Sequence, residues 1–346
     1  MYDCSGDVLA YHDAEVTLKQ PERTAMRDRR DSNRDRLRTR LSASGKPLPL
    51  EFIKQGSYAM KTMVKDADND YDIDDGVYFT RESLQDANGI DMKPEAARQM
   101  VCDALQDERF SCPPTVKTSC VRVFYEEGYH VDLPVYRVVQ TPFGERYELA
   151  AGDEWRESRA ADVEEWFDDR NQTLSPDETN GRQFRRIVRM KKKFARSRKP
   201  WKSQVAPGFT VTKLVEEHYR ANAAREDSAL RDTMQAIHDR LRWNLEVQHP
   251  ITPGTQLTSG PNDAGTSYLR DRLKEALAKL DILDDPDCTA KQAAAAWDAV
   301  FGTTFFSDRL AEAVRKAESN VAILANLVTT REQPRQYHKE GGGRFA

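Results

Sequence analysis

The residues whose types and spacing are best suited to chemistry lie in one stretch, residues 55–79, which reads QGSYAMKTMVKDADNDYDIDDGVYF. Asp72 and Asp74 flank Ile73 and run straight into a strand-like Gly-Val-Tyr-Phe. Because side chains alternate between the two faces of a strand, both carboxylates project to the same side. Carboxylates held this close repel each other unless a cation lies between them. The spacing therefore predicts a site for a hard divalent ion such as Mg²⁺, shared with substrate phosphates.

A Ca²⁺ loop competes with this interpretation, because Asp66, Asp68 and Asp70 also alternate. An EF-hand loop needs Gly at its sixth position and Glu at its twelfth, and a loop starting at Asp66 has Tyr71 and Val77 there. The frame that starts at Asp68 fails in the same way. We therefore interpret these three residues as loop, and a solvated acidic turn is the alternative for the whole stretch.

A third carboxylate comes from farther along the chain. Two runs rich in β-branched and aromatic residues, 118–125 and 130–138, are separated by Glu-Glu-Gly, which predicts a β-hairpin. Asp132 lies in the middle of the second run, between two apolar residues. An Asp inside an apolar strand is costly unless its charge is compensated. A cation shared with Asp72 and Asp74 would supply that compensation.

Gly56 and Ser57 precede the carboxylates and can offer backbone N–H groups and a hydroxyl to phosphate oxygens. Three carboxylates on adjacent strands can hold two Mg²⁺ ions, one activating an attacking ribose hydroxyl and the other steadying the leaving pyrophosphate. This chemistry is nucleotidyl transfer, an in-line attack on an α-phosphate that depends on positioning and charge stabilisation.

A strongly basic helix is predicted at residues 183–198, and no acidic residue occurs between residues 181 and 215. It could be a solvated helix face that pairs with the acidic N-terminal helix, or one or two of its lysines could reach triphosphate oxygens. The cations of this segment are Arg182, Arg185, Arg186, Arg189, Lys191, Lys192, Lys193, Arg196, Arg198, Lys199 and Lys202.

The whole chain of 346 residues has a net charge of −4 and no extended apolar run. This balance argues against a stable nucleic-acid partner and against a membrane span. The five cysteines form no C-x-x-C pair and the acidic N-terminus lacks the apolar core of a signal peptide, so we expect reduced thiols and a cytoplasmic location.

The order of the patterns predicts an α+β, bilobal fold. A long, thinly apolar helix in residues 1–45 would span the lobes; a mixed sheet with flanking helices would occupy 46–160, and a helical domain 161–330. The polar, Gly-rich residues 331–346 predict a flexible tail.

These motifs resemble a known family. Gly56-Ser57, Asp72-Ile73-Asp74 and Asp132 are similar to the signature of the polymerase-β-like nucleotidyltransferases. DIDDGVY at 72–78, TSCVRV at 118–123, HVDLPVY at 130–136 and the later GDEW…VEEWF segment resemble, more narrowly, the DncV-like enzymes among the bacterial CD-NTases of anti-phage CBASS systems. The resemblance covers roughly residues 50 to 215.

The resemblance implies roles for the matching residues. Asp72 and Asp74 would bind both metals, Mg²⁺ or alternatively Mn²⁺, and Asp132 would bind the metal that activates the hydroxyl. Gly56 and Ser57 would hold the donor triphosphate.

Further nucleotide contacts are implied at five other positions. Tyr58 would contact the donor nucleotide, Arg122 a base, and Lys192 a phosphate, with the register among Lys191, Lys192 and Lys193 open. Thr210 or Thr212 stands where the family uses Ser to approach the donor.

The implied activity is the joining of two nucleoside triphosphates, ATP and GTP being favoured, into a cyclic dinucleotide that acts on a downstream effector. A cyclic trinucleotide, a linear oligonucleotide and an RNA 3′-end product are alternatives on the same catalytic face. Base choice, linkage, activating signal and oligomeric state stay open. The tail, ending Gly341-Gly342-Gly343-Arg344-Phe345-Ala346, could also be conjugated by an E1/E2-like protein, or be an ordinary loose end.

Overall fold

The computed structural model describes residues 1–66, 72–126 and 128–331, and of residues 321–331 it describes only the helical backbone. Asp68, Asp70 and the C-terminal tail lie outside the described residues. The strands are β1 (Glu51–Gln55), β2 (Asp72–Thr80), β3 (Thr115–Val116), β4 (Val121–Phe124), β5 (His130–Leu133), β6 (Val135–Thr141), β7 (Gly144–Ala151) and β8 (Glu154–Glu157). The α-helices are α1 (Ser5–Tyr11), α2 (Gln20–Ala43), α3 (Gly56–Ala59), α4 (Pro94–Leu105), α5 (Ala160–Leu174), α6 (Gln183–Ala195), α7 (Gly208–His218), α8 (Glu226–Leu241), α9 (Ala264–Leu280), α10 (Ala290–Phe301) and α11 (Phe305–Arg331).

One mixed sheet contains these strands, and β2 lies at its centre. β1 pairs with β2 antiparallel, whereas β5 and β6 both pair with it in parallel. The register offset is the same for both, because Asp72 faces His130 and Val77 faces Val135. β5 and β6 are therefore two halves of one strand, interrupted at Pro134, which has no N–H to give to the ladder.

The outer strands extend the sheet from the two halves of that broken strand. β4 pairs antiparallel with β5, as the hairpin pattern predicts, and β3 pairs with β4. β7 and β8 follow β6 antiparallel. The functional face is thus assembled from strands that pair locally and from one parallel pairing that joins distant parts of the chain.

α2 packs on the sheet through a thin apolar stripe of Met26, Leu37 and Leu41. Its polar residues make one deep contact as well, because Arg34 forms a bidentate ion pair with the fully buried Asp75. Asp75 follows Asp74 directly, so alternation sends its side chain to the opposite face of β2. The acidic run of β2 is therefore divided between a structural ion pair and the functional face.

The second core consists of helices and begins after the last strand, between Glu157 and Ala160. α6 lies in its middle, with Phe184, Ile187 and Val188 fully buried. α1 and the residues that follow it also pack in this core, before α2 crosses to the sheet. The predicted α+β class, a mixed sheet with flanking helices followed by a helical region, is confirmed.

Two predictions from composition can be compared with the structure. No helix in the described parts of the chain is long and apolar enough to cross a lipid bilayer. All five cysteines are free thiols, as their spacing predicts.

Candidate active site

The three predicted carboxylates meet on one face of the sheet. Asp72 and Asp74 are on β2, and the β2–β5 register places Asp74 directly opposite Asp132. Because the pairing is parallel and in register, residues that face each other across the ladder project to the same side. Asp132 is buried, and the other two are partly exposed toward a cleft.

A histidine that the sequence did not single out joins this group. His130 faces Asp72 across the same ladder, and its Nε2 lies 4.0 Å from Asp132 Oδ2. Ligand atoms of Asp72, His130 and Asp132 all lie within 4.8 Å of one another. Nε2 is buried and makes no hydrogen bond within the described residues.

This donor set fits a divalent cation. A buried imidazole nitrogen without a partner is costly, and an ion between the two carboxylates would give it one. Carboxylates suit Mg²⁺ and Mn²⁺, and an imidazole ligand shifts the preference toward transition metals.

The electrostatics of Asp74 lead to the same conclusion. Burial, followed by the charges of Asp72 and Asp132, raises the pKa of Asp74 to about 8. Arg122 and Lys192 act in the opposite direction. Without a cation one carboxyl of the cluster therefore holds a proton near neutral pH, and a divalent ion would release it.

Arg122 is engaged by the third carboxylate. Its guanidinium donates from Nε and Nη2 to the two oxygens of Asp132, each over 2.7 Å. The β4–β5 register places the two residues face to face. In this structure the Arg122 side chain therefore holds and partly neutralises Asp132, and the base contact implied for it stays a prediction.

Gly56 and Ser57 open α3 beside the carboxylates. Gly56 has a φ of +60°, and a Cβ built on it would overlap Asp74 Oδ2. A side chain at this position would occupy the space of the carboxylate, so only glycine allows the turn to approach so closely. Both residues line the cleft, as expected for a turn that receives phosphates.

α6 presents its three consecutive lysines to three different environments. Lys192 lines the cleft, its Nζ lies 3.4 Å from Thr62 Oγ1, and burial lowers its pKa to about 8 against the charges of Asp72 and Asp74. Lys193 donates to the carbonyl of Lys65. Lys191 is fully buried, and burial lowers its pKa well below the ordinary value. The structure thus places Lys192 nearest to the carboxylates.

Most of the other cations of this segment are paired. Arg185 contacts Asp168, Arg186 contacts Asp177 and Glu226, and both Arg196 and Lys202 contact the buried Asp66. These acids lie outside the N-terminal helix that the sequence suggested as their partner. Asp66 is therefore an anchor for the basic segment.

The cleft between the sheet and the helical region has a volume of about 700 Å³, within the range of ligand sites in proteins. The sheet and α3 supply one wall and α6, α7 and the segment after α8 the other. Its lining includes Gly56, Ser57, Asp72, Asp74, Lys192, Phe209 and His249.

Three predicted contact residues point elsewhere. Tyr58 lies on a separate, smaller cavity, where its hydroxyl accepts from Arg30. Thr210 and Thr212 are buried in α7, and the Thr212 hydroxyl donates to the carbonyl of Gly208 in its own helix. None of the three is among the residues that line the cleft.

Comparison with known proteins extends these observations. Residues 50–136 match the family described as cyclic GMP-AMP synthase DncV-like, nucleotidyltransferase domain. This match confirms the resemblance that the motifs suggest, over the region that holds Gly56, Ser57 and the three carboxylates.

Solved structures share the fold over nearly the whole chain. Vibrio cholerae DncV cyclic AMP-GMP synthase with nonhydrolyzable GTP has a TM-score of 0.71 at 15% identity, covering 88% of this chain and 97% of that one. The same enzyme with the linear intermediate 5′ pppA(3′,5′)pG has a TM-score of 0.66 at 15% identity, covering 84% and 93%. CdnC of E. coli MS115-1 with ATP has a TM-score of 0.64 at 18% identity, covering 87% and 98%.

Proposed function

We propose that this protein, whose residues 50–136 form a DncV-like nucleotidyltransferase domain, joins two nucleoside triphosphates into a cyclic nucleotide with release of pyrophosphate. The single observation that carries the proposal is the convergence on one cleft of the Asp72–Asp74 pair, the Gly56–Ser57 turn and Lys192. Such a set combines the ligands of a cation with groups that bind phosphate.

Each group has a task in this proposal. Asp72, Asp74 and Asp132 would hold divalent ions, Mg²⁺ or Mn²⁺, which supply Lewis-acid activation of the hydroxyl and stabilisation of the leaving group. The Gly56–Ser57 turn binds phosphate oxygens beside the carboxylates. Lys192, whose charge the carboxylates favour, adds a cation on the opposite wall.

The substrates proposed are ATP and GTP, and the product a cyclic dinucleotide such as cyclic GMP-AMP. The support comes from the similar structures, which hold a GTP analogue, ATP and a linear pppApG intermediate. A second messenger of this kind acts on an effector in anti-phage defence, and we propose that role here.

Incubation with labelled ATP, GTP, CTP and UTP and Mg²⁺ or Mn²⁺, followed by phosphatase, tests the activity. Phosphatase-resistant product from the native protein is expected, together with its loss in Asp72→Asn/Asp74→Asn. Asp287→Asn, at an exposed acid that is not among the residues lining the cleft, is the matched control. A double variant that still makes product would contradict the assignment, and a native protein that leaves all four nucleotides unchanged, with or without phage lysate, would contradict the activity.

A separate proposal concerns the C-terminal tail, which lies outside the described residues. Its Gly-rich end has the composition of a segment that can thread a narrow active site, so an E1/E2-like protein could conjugate it. Removal of the last three residues should abolish conjugation in a reconstituted system and leave nucleotide synthesis intact. Unchanged conjugation would contradict this proposal.

A further inference from the structure

The helical wall of the cleft carries a pair of rings that the chemistry above does not use. Phe209, in the first turn of α7, and His249, in the segment after α8, both line the cleft, with ring centroids 5.6 Å apart. Asp72 and Asp74 line the same cleft. A nucleotide whose phosphates lie at the carboxylates would extend its base along this wall.

The hydrogen bonds of His249 determine which of its nitrogens carries the proton. The backbone N–H groups of Ile251 and Thr252 both donate to Nδ1, over 3.2 and 3.1 Å. Nδ1 is therefore an acceptor, and in the neutral ring the proton must be on Nε2. Burial lowers the pKa of His249, which keeps the ring neutral at pH 7.

Nε2 is left as a donor for a ligand. Within the described residues no hydrogen bond involves it, and it is not sealed from solvent. The ring is held in place by its loop, where the His249 N–H also donates to the carbonyl of Thr255. A donor fixed in orientation on a cleft wall is the kind of group that reads a base edge.

The ring of Phe209 packs against a second aromatic side chain. Trp166 of α5 packs edge-on against its ring, with centroids 6.3 Å apart, and Lys213 lies over the Trp166 ring. An aromatic side chain held in this way is a stacking surface, and stacking on a base contributes binding without selecting among bases.

We propose that Phe209 and His249 form the nucleobase subsite of the cleft, and that the His249 Nε2–H selects a 6-oxo purine, guanine or hypoxanthine, over adenine. This inference rests on the proposed function for its nucleotide substrate. Guanine presents adjacent acceptors, O6 and N7, whereas adenine presents the N6 amino donor beside N7. An N–H donor directed at the 6-position meets an acceptor, O6, in guanine and hypoxanthine, whereas in adenine it meets a second donor, the N6 amino group.

Binding of nonhydrolysable GTP, ITP and ATP analogues, measured by calorimetry, tests the subsite. The native protein should bind the GTP and ITP analogues about tenfold more tightly than the ATP analogue, the order expected for one hydrogen bond. His249→Asn should remove this preference. Asn retains a short acceptor for the Ile251 and Thr252 N–H groups but cannot extend a donor to the position of Nε2.

Phe209→Leu is the companion variant. It removes the stacking surface, so all three analogues should bind more weakly while their ratio is retained. Equal affinities in the native protein, or a GTP-to-ATP ratio that survives His249→Asn, would overturn the proposal.

The experiments distinguish failure of the nucleobase subsite from failure of the proposed synthase activity. Base-selective binding without any product would contradict the synthase and leave the subsite intact. Product formation with base-indifferent binding would contradict the subsite alone.

Discussion

Gly56→Ala is expected to inactivate the protein by displacing a carboxylate rather than by unfolding it. A Cβ at Gly56 would overlap Asp74 Oδ2 and lie 3.1 Å from its Cγ, whereas ordinary contacts begin at 3.4 Å. The carboxylate or the turn must therefore move by on the order of 1 Å, and a misplacement of that size in a catalytic constellation costs about 100-fold in rate. This corresponds to about 2.7 kcal/mol of transition-state stabilisation.

Gly45 provides a matched control for the cost of placing alanine in a left-handed backbone conformation. Gly45, which follows α2, has a φ of +62°, nearly the +60° of Gly56, but a Cβ there would meet nothing within 4 Å. Both alanine variants carry the cost of a left-handed residue, about 1 to 2 kcal/mol. Only Gly56→Ala also disturbs Asp74.

The assay is pyrophosphate release from ATP and GTP, alongside thermal unfolding. We expect similar melting temperatures for the two variants and a loss of activity, about 100-fold, in Gly56→Ala alone. If Gly56→Ala retained activity within a few-fold of Gly45→Ala, the close approach of this turn to Asp74 would be irrelevant to the reaction. The role assigned to the turn would then be refuted.

Three other perturbations have defined outcomes. Arg34→Ala should lower the free energy of unfolding in urea by about 3 to 5 kcal/mol, because the buried Asp75 loses its partner. Arg38 lies one turn farther along the same face, over the Phe52 ring, and its side chain is exposed. Arg38→Ala should therefore cost much less, about 0.5 to 1 kcal/mol. In EDTA, the free energy of unfolding should fall as pH rises from about 4 to 8, because the folded state keeps a proton on Asp74, whose pKa is raised to about 8, while the unfolded state releases it. Asp74→Asn should flatten this pH dependence in thermal melts, and an unchanged slope would contradict the raised pKa of Asp74. His130→Gln should weaken the binding of Mn²⁺ more than the binding of Mg²⁺, because an imidazole ligand favours transition metals. Mn²⁺ binding is measured by EPR and Mg²⁺ binding by its competition with Mn²⁺. Equal losses of affinity for the two ions would contradict an imidazole ligand at this site.

The carboxylates could be predicted from sequence because their signal is local. Alternation places Asp72 and Asp74 on one face, and an Asp within an apolar strand requires compensation wherever the strand lies. The same alternation contained a further signal, since His130 precedes Asp132 by two residues and must share its face. His130 has no metal-ligand spacing with any other histidine, so it is recognised as a candidate ligand only from its spacing to Asp132.

The sequence also contained the information needed to predict that Lys192, rather than Lys191, faces the cleft. Phe184, Ile187, Val188 and Lys191 follow helical spacing, so Lys191 falls on the apolar stripe and is buried. Lys192 is turned by about 100° from it and reaches the cleft.

Other contacts depend on tertiary packing that spacing does not encode. The Arg122–Asp132 pair follows from the β4–β5 register, and Tyr58 faces a second cavity because α3 is only four residues long and turns its side chains to different surfaces. Phe209 and His249 are far apart in sequence and meet only when the helical wall forms.

The broken parallel strand also has a consequence for the order of events during folding. β2 and β5 are joined by pairing across about 60 residues, and long-range parallel pairing forms slowly because the chain must first close a large loop. The hairpin of β4 and β5 can form early from local contacts, whereas Asp132 meets Asp72 and Asp74 only when that hairpin docks. Cation affinity should therefore be among the last properties a refolding chain acquires, which makes metal binding a kinetic marker for completion of the sheet.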